Sequence, residues 1–273
     1  MPSHKLDLVY NGHPLQIDYF IRQGQGDANT LVCLHGLGCS KHDFVEALNH
    51  TELKAYPLVA FDFPGCGESP YPEDVTFGMD DLVELTHLVV MTLQLDDVII
   101  IGHSMGGLVA LLYAEKYGEH VKGFINVEGN LASEDCFFSR EVVLHSFDYF
   151  SKTSLKELKH RLANSPNRGF QKYAENLERA SKKAYFDSSL SLVDYSEHGN
   201  LIQRFLALRA PKLFVYGSEN RTLSYLPALK ASGCEMTEIP ASNHFPFHDN
   251  PRAFYHAIAA FLEQGFSVQE TSR

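Results

Sequence analysis

The run Val98-Ile99-Ile100-Ile101-Gly102-His103-Ser104-Met105-Gly106-Gly107-Leu108 constrains this chain more than any other stretch. Four β-branched residues describe a buried strand, and a helix-compatible segment from Leu108 to Tyr117 follows almost at once. Between the two stands Gly-x-Ser-x-Gly. Taken alone, the pattern also fits a glycine-rich turn about a structural serine. In this setting it predicts a nucleophile elbow, a sharp strand-to-helix turn with one serine at its tip. The serine is held there in strained geometry, so the residues two before and two after must lack colliding side chains. Gly102 and Gly106 meet that need. The Ser104 hydroxyl then lies at the positive end of the following helix, where negative charge is favoured.

Around the elbow, strand and helix patterns alternate. Lys5 to Val9 and Leu15 to Ile21 read as strands, with Asn11-Gly12 as the hairpin turn between them. Thr30 to Leu34, Pro57 to Asp62, Val121 to Val127, Lys212 to Tyr216 and Glu235 to Ile239 complete the strand set. The continuous apolar runs among them suit strands buried on both faces of a parallel sheet. Lys41 to Asn49 suits a short helix with Ser40 as N-cap. Met79 to Leu93 and Arg252 to Phe261 have helical spacing. The order predicts an α/β fold with a doubly wound, mostly parallel sheet. One stretch interrupts it. From Leu131 to Leu208 no buried strand is found, and aromatic residues abound in a helical pattern. We expect a core domain from 1–130 and 209–273, with 131–208 as a helical cap over the carboxyl ends of the strands. Most of its aromatics read as the insertion's own core.

Charge and cysteine content bound the function. The 273 residues include 34 acids against 23 bases, a net charge of −11, and no basic cluster longer than Lys182-Lys183. Nucleic acid is therefore not an expected partner. The cysteines, at 33, 39, 66, 136 and 234, form no C-x-x-C pair, which indicates neither a disulfide framework nor a cysteine zinc site. A reducing compartment fits best, and no apolar run approaches membrane-spanning or signal-peptide length. The expectation is a cytoplasmic protein with no membrane partner.

Three further segments join the elbow: Leu34-His35-Gly36-Leu37-Gly38, Asp62-Phe63-Pro64-Gly65-Cys66-Gly67-Glu68-Ser69, and Ser242-Asn243-His244-Phe245-Pro246-Phe247-His248-Asp249-Asn250-Pro251. In this order the four motifs resemble the α/β-hydrolase family over nearly the whole chain apart from the insertion. The resemblance implies an oxyanion hole formed by the backbone N–H groups of Leu37 and Met105. It makes His244 the base that takes the proton of Ser104, since a serine hydroxyl is a poor nucleophile without an adjacent imidazole. His35 is then a structural residue of its turn. His248 is the nearby rival base, at the entrance of the last helix. The pair His244 and His248 lacks the further ligands of a metal site, so no metal is expected.

The acid departs from the family pattern. After the strand Lys212 to Tyr216, many relatives read Gly-x-x-Asp. Here the run is Gly217-Ser218-Glu219-Asn220, with asparagine in the acid's place. Glu219 lies one residue early, while Glu128 closes the strand before the insertion. The second location resembles a family variation found in some haloalkane dehalogenases and in a fungal zearalenone-type lactonase. We favour Glu128, and both choices keep the order serine, acid, histidine. The expected activity is cofactor-independent hydrolysis of a partly apolar carboxylic ester or lactone through an acyl-enzyme on Ser104. A C–C bond hydrolase or thioesterase with the same triad is the alternative, as is a small-molecule receptor built on the fold.

Overall fold

The apolar runs of the sequence become the middle of one eight-stranded sheet. A computed structural model describes residues 3–25 and 28–266. The strands are β1 (His4–Tyr10), β2 (His13–Arg22), β3 (Thr30–Leu34), β4 (Leu58–Phe61), β5 (Val98–His103), β6 (Val121–Val127), β7 (Lys212–Gly217) and β8 (Glu235–Ile239). Their spatial order is β1-β2-β4-β3-β5-β6-β7-β8. The β1–β2 hairpin is antiparallel and turns on Asn11 and Gly12, both at positive φ as such a two-residue turn requires. β2 runs antiparallel to β4, and every pairing from β4 to β8 is parallel. Strands β4 and β5 are buried along their whole length.

Helix α1 (Met79–Thr92) buries Met79, Leu82, Val83, Leu85, Thr86, Val89 and Val90, one face at helical spacing. Its start is fixed by the Asp81 carboxylate, which accepts the Gly78 N–H at 2.8 Å. Helix α2 (Met105–Lys116) is apolar all round from Met105 to Ala114 and buried over that whole stretch. A helix of that kind belongs inside a protein, and α2 packs against β5, β6 and α1. The chain passes from β3 to β4 on one side and returns to β5 on the other. Ser104 thus stands at the point where strand order reverses, the usual ligand position in open α/β sheets.

Among the described residues, 131–208 contain helices and no strand: α3 (Ser139–Val143), α4 (Phe147–Tyr149), α5 (Leu155–Ala163), α6 (Arg168–Leu177), α7 (Lys182–His198) and α8 (Leu201–Ala207). Its aromatics divide. Phe150, Tyr173 and Tyr185 are buried, whereas Phe137, Phe147 and Tyr149 are exposed. The insertion seats directly on the turns at the carboxyl ends of the strands. A Cβ on Gly38 would lie 2.6 Å from Leu177 and 2.7 Å from Tyr185, so the close approach needs glycine there. The last described helices are α9 (Leu226–Ala231), α10 (Pro246–Asp249) and α11 (Pro251–Phe266).

One expectation is corrected. Lys41–Leu48 forms a run of 3₁₀ turns, and Ser40 does not cap it with its side chain. The Ser40 hydroxyl donates to Asn176 of the insertion at 2.9 Å, and Asp62 accepts the Lys41 N–H at 2.7 Å instead. A carboxylate brought in from the neighbouring strand outcompetes the local hydroxyl. One group of charges lies inside the protein. Lys41 is 1% exposed, and its ammonium contacts Asp18 at 2.9 Å, Asp62 at 2.7 Å and also Glu68. This cluster ties the first strands to the Asp62–Ser69 turn.

Candidate active site

Sheet register sets the site's geometry. His103 pairs with Val127 and Val127 with Val215, so the residues leaving β5, β6 and β7 lie side by side. The Ser104 N–H donates to the Val127 carbonyl at 3.1 Å, and the Glu128 N–H to the Val215 carbonyl at 2.9 Å. Both exits are strained: Ser104 stands at φ 52° and Glu128 at φ 47°. The elbow leaves no room on either side of the serine. A Cβ on Gly102 would lie 2.4 Å from the Gly106 carbonyl, and one on Gly106 would lie 2.3 Å from that of Leu34.

The Glu128 side chain is 4% exposed and collects four contacts. Oε1 accepts the Gly217 N–H at 2.7 Å, and the Asn220 amide donates to Oε1 at 2.9 Å and to Oε2 at 2.7 Å. Oε2 then meets His244 Nδ1 at 3.0 Å. A carboxylate oxygen accepts, so Nδ1 is the donor of this contact. Glu219 is exposed, and its Oε2 accepts from the Asn243 amide at 2.8 Å. His248 turns to Asp43 at 3.0 Å rather than towards His244. The structure therefore brings together Glu128 and His244, and leaves Glu219 and His248 apart from that pair.

The remaining groups hold these in place. His103 Nε2 donates to the His244 backbone carbonyl at 2.9 Å. Burial holds the His103 imidazole well below its ordinary range, so it stays neutral. His35 is likewise buried and shifted down by burial. Its Nε2 accepts the Phe63 N–H at 3.0 Å and its Nδ1 meets the Gly36 carbonyl at 2.8 Å, which joins the two turns. Asp249 accepts the Asn243 N–H at 2.9 Å together with Asn167 and Gly169 of the insertion, linking the histidine loop to α6.

One cavity is lined by Ser104, His244, Leu37, Phe137, Phe138 and Tyr173, among others. It has room for about one water molecule, with ≈ 10 Å³ open to the centre of a water. The Phe137 ring stands edge-on to His244 with centroids 4.8 Å apart. Leu37 faces the same cavity, and Met105 is the first residue of α2, where helix N–H groups have no partner within the helix. Among the described residues, two clusters approach metal-ligand spacing, Asp18/Asp62/Glu68 and Cys39/Asp43/His103. The Lys41 ammonium already holds the first. In the second, Asp43 accepts from Asn176 at 2.8 Å as well as meeting His248.

Sequence reasoning missed two contributors. Asn220 entered only as a missing acid, yet its amide donates to both oxygens of Glu128. His103 had no pattern to mark it, since nothing local shows that its ring reaches a carbonyl 141 residues away.

With a central serine, a buried carboxylate–histidine pair and this sheet order in place, comparison with known proteins identifies the class. Residues 29–251 match the alpha/beta hydrolase fold family, and the chain belongs to it. An sn-1-specific diacylglycerol lipase of Danio rerio is 26% identical over 276 residues, covering 94% of this chain and 86% of that one. A proline iminopeptidase of Thermoplasma volcanium is 35% identical over 120 residues, and the match spans 44% of this chain and 40% of that one. In fold, a carboxylesterase of Nitrososphaera gargenis superposes with a TM-score of 0.78 at 17% identity, covering 95% of this chain and 98% of that one. Among the described residues, no helix is long and apolar enough to cross a membrane.

Proposed function

We propose that this chain is a serine hydrolase that cleaves a carboxylic ester or lactone, with Ser104 as nucleophile, His244 as base and Glu128 as acid. The observation that carries the reading is the 3.0 Å contact between His244 Nδ1 and Glu128, with His244 and Ser104 on one cavity. Nε2 of His244 takes the Ser104 proton as Oγ attacks the substrate carbonyl, and Glu128 stabilises the imidazolium that forms. The N–H groups of Leu37 and Met105 receive the oxyanion, each worth roughly 10²–10³ in rate. His244 then protonates the leaving alcohol, and a water activated by the same nitrogen releases the acid. No cofactor enters the scheme.

The insertion at 131–208 acts as the cap. Its Phe137 and Phe138 leave room for about one water, so a substrate enters only when these rings move. The apolar rings favour a partly apolar, small-molecule substrate. Five free cysteines support a reducing compartment such as the cytoplasm.

The test is covalent labelling by a fluorophosphonate together with turnover of p-nitrophenyl butanoate. Ser104→Ala should abolish both while the thermal melt stays cooperative. Labelling at another serine with unchanged esterase activity would remove the elbow from the chemistry. Turnover of thioesters or C–C substrates but not esters would move the protein to those reactions. Ligand binding without any turnover would make it a receptor.

A further inference from the structure

The cavity over Ser104 carries more hydrogen-bonding capacity than the reaction uses. Tyr173 of α6 lines it and is 1% exposed. Its hydroxyl meets that of Tyr185, from α7, at 2.8 Å. Two phenols joined by a single hydrogen bond keep one O–H proton for which the pair itself has no acceptor. Burial pushes both phenols up, so both remain donors across the working pH range. Ser139, the first residue of α3, lines the same cavity at 2% exposure. Its Oγ is buried without a hydrogen-bond partner and stands near the Cys136 thiol, a weak partner at best. Neither group takes part in the proton transfers assigned to Ser104, His244 and Glu128.

Unmatched buried donors are costly in a protein interior, and at a binding site they are matched by the ligand. We infer that the substrate bears a second hydrogen-bond acceptor, a ketone or amide carbonyl some atoms away from the scissile ester or lactone, and that Tyr173 and Ser139 receive it. This rests on the hydrolase reading above and adds a substrate class to it. A carbonyl oxygen arriving in the cavity selects one of the two arrangements open to the tyrosines. Tyr185 donates to Tyr173, and Tyr173 donates to the substrate, each link polarising the next. Tyr185 does not itself line the cavity, so it is a positioning residue. The Tyr173 ring is fixed by Phe138 and Phe245, with centroids 5.0 and 5.2 Å away, which holds its hydroxyl in one direction. A plain alkyl chain would leave these donors unmatched, and a site of that kind discriminates by polarity far better than by size.

The experiment measures kcat/KM on two matched pairs of esters. In the first, 1-naphthyl hexanoate is set against 1-naphthyl 5-oxohexanoate, which places the extra carbonyl on the acyl side. In the second, pentyl butanoate is set against 2-acetamidoethyl butanoate, which places it on the alcohol side. At least one pair should favour its carbonyl-bearing member about tenfold, and Tyr173→Phe should reduce that preference to about twofold or less. Ser139→Ala and Tyr185→Phe should each reduce it in part. The preference is a ratio within one preparation, so a partly misfolded variant still reports it. Ratios near one in both pairs for the unaltered protein would overturn the inference, as would a Tyr173→Phe protein that keeps its preference. Absence of turnover on all four esters, with no fluorophosphonate label on Ser104, would instead refute the hydrolase reading and this inference with it.

Discussion

Glu128→Gln tests the proposed role of Glu128 most directly, because the substitution keeps shape while removing charge. In the folded protein the carboxylate accepts from Gly217 and Asn220 and meets His244 Nδ1 at 3.0 Å. An amide cannot serve all of them. If its oxygen stays with Gly217, its NH₂ faces both the Asn220 amide and His244, donor against donor. The imidazole then answers by moving its proton to Nε2, the nitrogen that must accept from Ser104. The charge term has a similar size. A carboxylate facing an imidazolium at 3.0 Å interacts by about 5.5 kcal/mol at an effective dielectric of about 20, or about 10⁴ in rate. That attraction arises only as His244 becomes charged, so kcat should fall by about 10⁴ with KM little changed. The assay is steady-state hydrolysis of p-nitrophenyl butanoate, with a thermal melt to confirm folding. Glu219→Gln is the control, and its loss should stay within about threefold, because the exposed Glu219 touches Asn243 and not His244. A fall of less than tenfold in Glu128→Gln, or a larger loss in Glu219→Gln, would refute the argument.

Two further outcomes concern stability. Lys41→Met leaves the buried carboxylates of Asp18 and Asp62 without their cation and should cost about 3–5 kcal/mol, lowering Tm by roughly 10 °C. A loss below about 1 kcal/mol in a urea melt would contradict the structural weight given to that cluster. Asp135 lines the same cavity as Ser104, and burial raises its carboxyl from 3.8 to about 6 despite hydrogen bonds from Leu131, Ala132 and Tyr225. The folded protein thus holds this proton more tightly than the unfolded chain does. Its contribution to stability is present below about pH 4 and is lost as pH rises through about 6. Asp135→Asn should flatten that part of the profile of Tm against pH, and parallel curves for the two proteins would show that the carboxyl does not titrate there.

Local rules were enough for much of this protein. A β-branched run, two glycines and a serine specify the elbow; steric exclusion at Gly106 comes from the Leu34 carbonyl of the neighbouring strand, whereas at Gly102 it acts within a few residues, against the Gly106 carbonyl. The same holds for the Asn11-Gly12 hairpin and for the apolar runs of β3 to β6, whose burial follows from composition and period. Glu128 as a candidate was legible in part, since a carboxylate closing a buried strand stood out beside the asparagine in the usual acid position, and its contact with His244 is a matter of the fold. What the tertiary structure decided are contacts between positions far apart in the chain. Only sheet register sets Glu128 beside Asn220, 92 residues on, and turns that asparagine from a missing acid into a donor to the Glu128 carboxylate. Only the folded insertion brings Phe137 against His244 and Asn176 to the hydroxyl of Ser40, which the sequence assigned to a cap. The Lys41 cluster has the same origin. Sequence patterns record the average environment of a residue, exposed or buried, whereas a buried charge or hydroxyl is settled by whichever partner the fold delivers within about 3 Å.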